Sequence, residues 1–314
     1  MRLVDADALA STLDPLTLVE ALRTAHRSDV GEVERLLLEA KGTPNSALLW
    51  ASWHPERGIA VKAATVFPRN ALSTRRPNIH SVVMLFDAAC GEPLAAIHGE
   101  SLTRMKTAAD SALGCDLLAV RDAATLAVLG AGAQAKTHIR FLRAVRPSIR
   151  GIRVWNRTPE KAERLAEDLR DEGREAEAVV KAEDAVREAM IVTCLTAATE
   201  PVLHGAWLSS GAHIDLVGGF TPAMRESDDE VVRRGRLFAD TLRFTVETSG
   251  DYANPVARGA VEGDLFDLCS GRIQGRQARS EITVFKNGGG GHLDLIVARA
   301  LWDLHQDPID RRSR

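Results

Sequence analysis

Residues 125–142 read TLAVLGAGAQAKTHIRFL, and few architectures accommodate such a run. A short apolar stretch enters Gly130, Gly132 and Ala135 in G-x-G-x-x-A spacing, and a helical pattern starts at once. Gly130 permits a tight turn, Gly132 removes a side chain where a pyrophosphate must approach, and small Ala135 lets helix and strand pack closely. The N-terminus of that helix then faces the phosphates. In isolation the spacing marks only a tight strand-to-helix turn, so its context decides.

The context is repetitive. After Arg121 the texture alternates: TLAVLG, a helix through Phe141, IRVWN, a helix through Leu169, AVV, a helix through Ala189, then MIVTCL. Strand and helix in turn predict right-handed crossovers and a parallel, doubly wound α/β sheet of Rossmann type. HIDLVG, RLFAD and ITVFK continue it as short strands, before a last helix over Leu293 to Leu304 that could pack back on the first domain. Upstream the texture differs. Asp14 and Pro15 before LTLVEALRTAH predict a capped amphipathic helix. From Ala47 to Ile97 the runs ALLWASW, GIAVKAATVF, HSVVMLFD and PLAAIHG, punctuated by Gly, Pro and Asn, predict a mostly antiparallel sheet in a second, α+β domain. Ser101 to Val120 places Leu102, Met105, Ala109, Leu113 and Leu117 on one helical face and bridges the domains, with a boundary near 118–122.

The 314 residues suit two domains. A net charge of −3 offers no basic stripe for nucleic acid. Asp5 and Asp7 stand where a secretory signal carries cations, and no apolar run approaches the roughly twenty residues of a membrane span, so a cytoplasmic protein is expected. Cys90, Cys115, Cys194 and Cys269 are scattered, without metal-site spacing, and read as reduced core residues.

The end of the second Rossmann strand selects the dinucleotide, because an acid there binds a ribose 2′-hydroxyl and repels a 2′-phosphate. This chain has Asn156, Arg157 and Thr158, a fixed cation and a hydroxyl donor suited to phosphate, so NADPH is expected over NADH. The competing reading is a solvated Arg157, with Thr158 capping the helix that starts at Pro159. The candidate cofactor-binding set is Gly130, Gly132, Ala133, Gln134, Ala135, Asn156, Arg157, Thr158, Thr193, Leu195 and Thr107.

SLTRMKTAADSALG before the Rossmann strand, GAGAQAKTHI at it and HIDLVGGFTPAMRE after it together resemble the ornithine cyclodeaminase and mu-crystallin family over nearly the whole chain. The resemblance implies a substrate-binding and dimerisation domain of residues 1–118 completed by 289–314, a Rossmann domain of 119–288 between its halves, and a homodimer. Family members include cyclodeaminases, ketimine reductases and alanine dehydrogenases, so the departures matter. Cyclodeaminases carry an acid before the proline turn after the fifth strand; here the stretch is Gly218-Gly219-Phe220-Thr221-Pro222, and an apolar ring accepts no proton. GGFTPAMRE and FKNGGGGHLDL look most like the Δ1-pyrroline-2-carboxylate reductases of the family. The implied reaction is reduction of that cyclic imino acid, or its six-membered piperideine analogue, to L-proline or L-pipecolate. Alternatives are an alanine-dehydrogenase-like enzyme, an ornithine cyclodeaminase and a non-catalytic NADPH-binding protein.

The resemblance also carries over site residues. Lys62, in GIAVKAATVF, matches the substrate-binding lysine; Lys106 stands where the family commonly has arginine, keeping the charge without the bidentate fork; Arg35, in VERLLLE, matches another carboxylate-binding arginine. Lys62 and Lys106, with Thr221, form the catalytic set; Arg35, Phe220, Gly289 and Gly290 add to the substrate-binding set. Each has a plainer reading: an edge or snorkelling lysine, a solvated helix face, a core phenylalanine in a turn, a hinge at KNGGGG. His292, His54 and His98 are weaker candidates for proton transfer.

Overall fold

Short turns make strands that follow one another in sequence neighbours in space, and the first half of the chain obeys this rule. The computed structural model describes residues 1–4, 13–70, 76–219, 221–253 and 259–305. They belong to two compact units, one of Met1–Ala25, Asp29–Lys106 and Gly290–Arg314, the other of His26–Ser28 and Thr107–Gly289.

The first unit contains β1 (Arg2–Val4), α1 (Pro15–Ala25), β2 (Glu32–Glu39), β3 (Ser46–His54), β4 (Gly58–Val66), β5 (Ile79–Phe86) and β6 (Pro93–His98). Helix α2 (Gly99–Leu118) follows, and α9 (Gly291–His305) returns to this unit from the end of the chain. Asp14 opens α1 by accepting the Leu16 amide at 3.1 Å. The sheet order is β1-β6-β5-β4-β3-β2, antiparallel except where β1 lies parallel to β6. The β3–β4 hairpin closes with His54 opposite Gly58, whose φ of +99° and approach to the Phe86 carbonyl leave no room for a side chain.

Residues paired across a sheet share a face, so Arg35, Trp50, Lys62, Val83 and Ile97 form one row. Helix α9 packs on β2 to β5 and on α1, and Gly291 lets it approach: a Cβ there would collide with Ser52 Oγ, on the face of Lys62. The opposite face is apolar and open, with Leu36, Leu38, Trp53 and Val82 all exposed.

The second unit carries β7 (Thr125–Leu129), α3 (Ala135–Val145), β8 (Gly151–Trp155), α4 (Pro159–Asp171), β9 (Glu175–Ala178), α5 (Ala182–Val186), β10 (Ile191–Cys194) and β11 (His213–Leu216). Then come α6 (Asp229–Arg234), β12 (Gly235–Ala239), α7 (Leu242–Thr248), β13 (Val261–Asp264), α8 (Leu265–Ser270) and β14 (Ile282–Lys286). Every pairing is parallel, in the order β13-β12-β14-β11-β10-β7-β8-β9, so the winding direction reverses between β7 and β10. Alternation along β7 sends Ala127 and Leu129 into one apolar cluster and Leu126 and Val128 into another, so this sheet is covered on both faces.

Several expectations need correction. The strand expected at AVV is Glu175–Ala178, and Val180 is 85% exposed. The helix expected through Ala189 stops at Val186, because Glu188 adopts a left-handed backbone with φ 64°. Cys115 and Cys194 are buried, but Cys269 is half-buried and Cys90 exposed, in a turn where Asp87 accepts the Ala89 and Cys90 amides. The units divide inside α2, at Lys106/Thr107, earlier than the change of texture suggests. The reason is local: Gly114 makes room for the Phe285 ring, and Arg146 binds the Cys115, Asp116 and Ala119 carbonyls at the end of α2. Among the described residues no helix is long and apolar enough to cross a membrane.

Candidate active site

A lysine in the middle of an apolar strand must find a partner or reach water. Lys62 does the former. Its Nζ donates to Thr103 Oγ1 at 2.7 Å and lies 3.4 Å from Asp294 Oδ1. Lys106 Nζ stands 2.6 Å from the same carboxylate oxygen and donates to the Gly290 carbonyl at 3.1 Å. Thr103 and Lys106 are one helical turn apart on α2, and Asp294 sits in the first turn of α9, where a carboxylate is favoured. The three charged side chains are only 11%, 7% and 2% exposed, and together carry a formal charge of +1. Two buried ammonium groups held side by side suit a carboxylate ligand. Arg35 lies on the same face two strands from Lys62, about 10 Å away by strand spacing. It is exposed, with its guanidinium carbon 5.7 Å from the centre of the Trp50 ring.

In the second unit the glycine turn has the geometry its composition implies. Gly130 has φ +115°, and a Cβ there would meet the Leu195 carbonyl at 2.6 Å. At Gly132 a Cβ would point into open space, the cradle a pyrophosphate needs. No side chain caps the N-terminus of α3, which leaves its positive end for an anion. Asn156 Oδ1 accepts the Ala131 amide at 3.0 Å and its Nδ2 donates to the Thr158 carbonyl, tying the turn to the end of β8. Thr158 occupies the N-cap position of α4 without a hydroxyl cap bond, and Arg157 is exposed with no ion pair among the described residues. The residues present therefore fit a dinucleotide.

Behind this turn lies a buried acidic network. Asp215 accepts Ser111 Oγ at 2.8 Å and Thr193 Oγ1 at 2.7 Å, and burial pushes its carboxyl up to about 6. Asn287 links Ser111 to the Thr107 carbonyl. Asp240 accepts the Gly288, Gly289 and Thr241 amides and the Thr245 hydroxyl; burial again raises it, to about 6. Glu226 takes the Thr196 amide and hydroxyl, and desolvation pushes it to about 8. Asp251 Oδ1 accepts the Glu226 and Ser227 amides and the Ser227 hydroxyl, while Lys286 Nζ lies 3.5 Å from its Oδ2 and donates to the Gly218 carbonyl.

The model of the ornithine cyclodeaminase/mu-crystallin family matches residues 16–307. The chain belongs to that family. Among curated relatives, the Δ(1)-pyrroline-2-carboxylate reductase of Paracoccus denitrificans is 40% identical over 288 residues, 89% of each chain. The solved structure of the Thermococcus litoralis Δ(1)-pyrroline-2-carboxylate reductase, in complex with NADH and L-proline, superposes with a TM-score of 0.88 at 28% identity, covering 96% of this chain and 97% of that one. The iminosuccinate reductase of Paracoccus denitrificans, in complex with NAD+, gives 0.85 at 28% identity over 97% and 96%.

In this family member the structure brings Lys62, Lys106 and Gly290 together, with Arg35 further along the row, and gathers Gly130, Gly132, Ala135, Asn156 and Leu195 at the glycine turn. Thr193 is fully buried with its hydroxyl committed to Asp215, and the Gly289 amide is committed to Asp240. The Thr221 carbonyl accepts the Met224 and Gly250 amides; Phe220 lies outside the described residues. His292 is buried in the first turn of α9, His98 sits 2.9 Å from Ser101 Oγ, and burial lowers the pKa of His54. Sequence reasoning did not assign a role to Asp294; an acid opening an otherwise apolar helix was the available signal.

Proposed function

We propose that this protein reduces a cyclic imino acid of the Δ1-pyrroline-2-carboxylate class to the cyclic amino acid with NADPH, acting as a homodimer. The observation that carries the reading is the buried Lys62–Lys106–Asp294 cluster, which holds two ammonium groups side by side. A cyclic imino acid presents one carboxylate, and two preorganised ammonium groups orient it without reorganisation when it binds. Gly130 and Gly132 hold the pyrophosphate through backbone approach, and Arg157 with Thr158 receives the 2′-phosphate. A bound reduced nicotinamide would supply hydride to the carbon of the protonated imine, whose nitrogen keeps its proton and becomes the secondary amine. The solved relatives carry NADH and NAD+, so the preference for NADPH is read from this chain's own exposed Arg157 and from the absence of an acid at the end of β8.

Deamination is disfavoured because Asp251, the acid beside Gly219, is fully buried and held by two amides, a hydroxyl and Lys286. Homodimerisation is supported by the open apolar sheet face around Leu36, Leu38, Trp53 and Val82, which costs free energy while it faces water.

The test is turnover by purified protein with Δ1-pyrroline-2-carboxylate or Δ1-piperideine-2-carboxylate, followed as loss of reduced-nicotinamide absorbance with NADPH and with NADH. Consumption is expected, and its absence across the working pH range would end the reading. Arg157→Ala should raise KM for NADPH about tenfold, as loss of one charge-assisted contact predicts, and leave KM for NADH unchanged. Sedimentation should give a dimer; a monomer at micromolar concentration would remove that part.

A further inference from the structure

Resting on the reading of the glycine turn as a dinucleotide site, we propose that Glu226 is a positioning residue for the cofactor: its side chain clamps the Leu195–Thr196 peptide, whose carbonyl forms the back wall of that turn. Oε1 of Glu226 accepts the Thr196 amide at 2.7 Å and the Thr196 hydroxyl at 2.8 Å. The Thr196 amide and the Leu195 carbonyl belong to one planar trans unit and point in opposite directions, so fixing the donor on one side fixes the acceptor on the other. On that other side lies Gly130. A Cβ there would stand 2.6 Å from the Leu195 carbonyl oxygen and 3.3 Å from the Thr196 methyl carbon.

The sheet does not orient this peptide. Strand β10 ends at Cys194, and the Leu195 amide still donates to the Leu129 carbonyl, but the next amide, that of Thr196, leaves the ladder for Glu226. The clamp is anchored in turn. Glu226 is fully buried; its own amide donates to Asp251 Oδ1 at 3.0 Å, and its carbonyl accepts the Val202 and Leu203 amides, both at 2.9 Å. Gly218 leaves room for it, since a Cβ there would stand 2.6 Å from Glu226 Oε1 and collide with the Thr196 carbonyl. Burial pushes the Glu226 carboxyl up to about 8, with Lys286 opposing the rise and Asp251 adding to it, so at neutral pH the clamp is a neutral acid that glutamine matches in shape and hydrogen bonding. Glu226 acts through the backbone behind the turn and not on the 2′-phosphate, so its influence extends equally to NADPH and NADH.

The experiment titrates each nucleotide into the full chain at pH 7 and reads binding from nicotinamide fluorescence. Glu226→Met keeps the side-chain length and removes the acceptor; it should weaken NADPH and NADH by the same factor, at least about tenfold, the scale of one buried hydrogen bond left unmet. Glu226→Gln should bind both as the native chain does, a rescue that loss of bulk packing alone would not give. A loss confined to NADPH, or a loss in Glu226→Gln as large as in Glu226→Met, would overturn the assignment. Native affinity in Glu226→Met would overturn it too and leave the dinucleotide reading standing, whereas a native chain that binds neither nucleotide would end both. If Glu226→Met does not fold, hydrogen exchange on the native chain without nucleotide carries the test: the Thr196 amide should be protected, and exchange at the rate of an open loop would overturn the clamp.

Discussion

Each unit buries a charged cluster, and the two clusters are balanced in opposite ways. Around Lys286 the acids outnumber the single lysine: Asp215, Glu226, Asp240 and Asp251 are all fully buried. That excess is met internally, by backbone amides, by hydroxyls and by a proton on Glu226, which burial raises to about 8. Around Lys62 and Lys106 two ammonium groups share one oxygen of Asp294. A cluster answered largely from within braces a fold, whereas two ammonium groups held side by side are placed for an anion that arrives from outside.

Substitutions can break this contrast. Lys286→Met removes the cation that faces Asp251 in the acidic network and should cost about 3–5 kcal/mol of folding free energy, as for a buried pair deprived of one member. Chemical denaturation measures it; a loss below 1 kcal/mol would mean that the network braces nothing. Lys62→Met should show the reverse pattern. It leaves Lys106 and Asp294 as a matched pair, so stability should hardly change, while kcat/KM for the cyclic imino acid drops about 100-fold. Unaltered kinetics in that variant would make the first cluster as structural as the second.

The smallest effect concerns pH. Glu226 keeps its proton in the folded chain up to about 8, whereas its ordinary value is 4.5, so the unfolded chain binds fewer protons throughout that window. Stability therefore falls as pH rises from about 4.5 toward 8, and Asp215 and Asp240 add to the slope from their ordinary 3.8 to about 6. Glu226→Gln should flatten the upper part of the slope, raising Tm at pH 8 relative to native by a few degrees and leaving Tm at pH 5 nearly unchanged. Parallel melting curves at both pH values for native and variant would refute this.

Legibility from sequence followed the range of the interactions. The glycine turn, the capped α1 and the first strand and helix after Arg121 are written in contiguous residues, and the structure has them where the patterns lie. Strand β1 is three residues long and exists only through its parallel pairing with β6. Strand β2 defeats a period-two reading because Leu36, Leu37 and Leu38 are all exposed, and VEGD in β13 has no strand-like composition. Asp294 meets Lys106 from 188 residues away and Lys62 from 232, distances at which no local pattern signals a pair. Asp215 within HIDL and Lys286 within ITVFK were an unread signal of the acidic network, because a strand buried on both faces admits an ionisable group only with partners.

The hairpin joining β3 to β4 has a further meaning. Lys62 faces α9 only because His54 stands opposite Gly58, and side chains alternate from there along the strand. Loop length at Pro55–Arg57 thus works as an address label: one extra residue there, if the strand slid to keep its hydrogen bonds, would deliver the ammonium to the wrong side of the sheet. A change of this kind alters no chemical group, yet it would silence the enzyme. Insertions in such a turn are therefore a route to inactive paralogues that retain every recognisable motif.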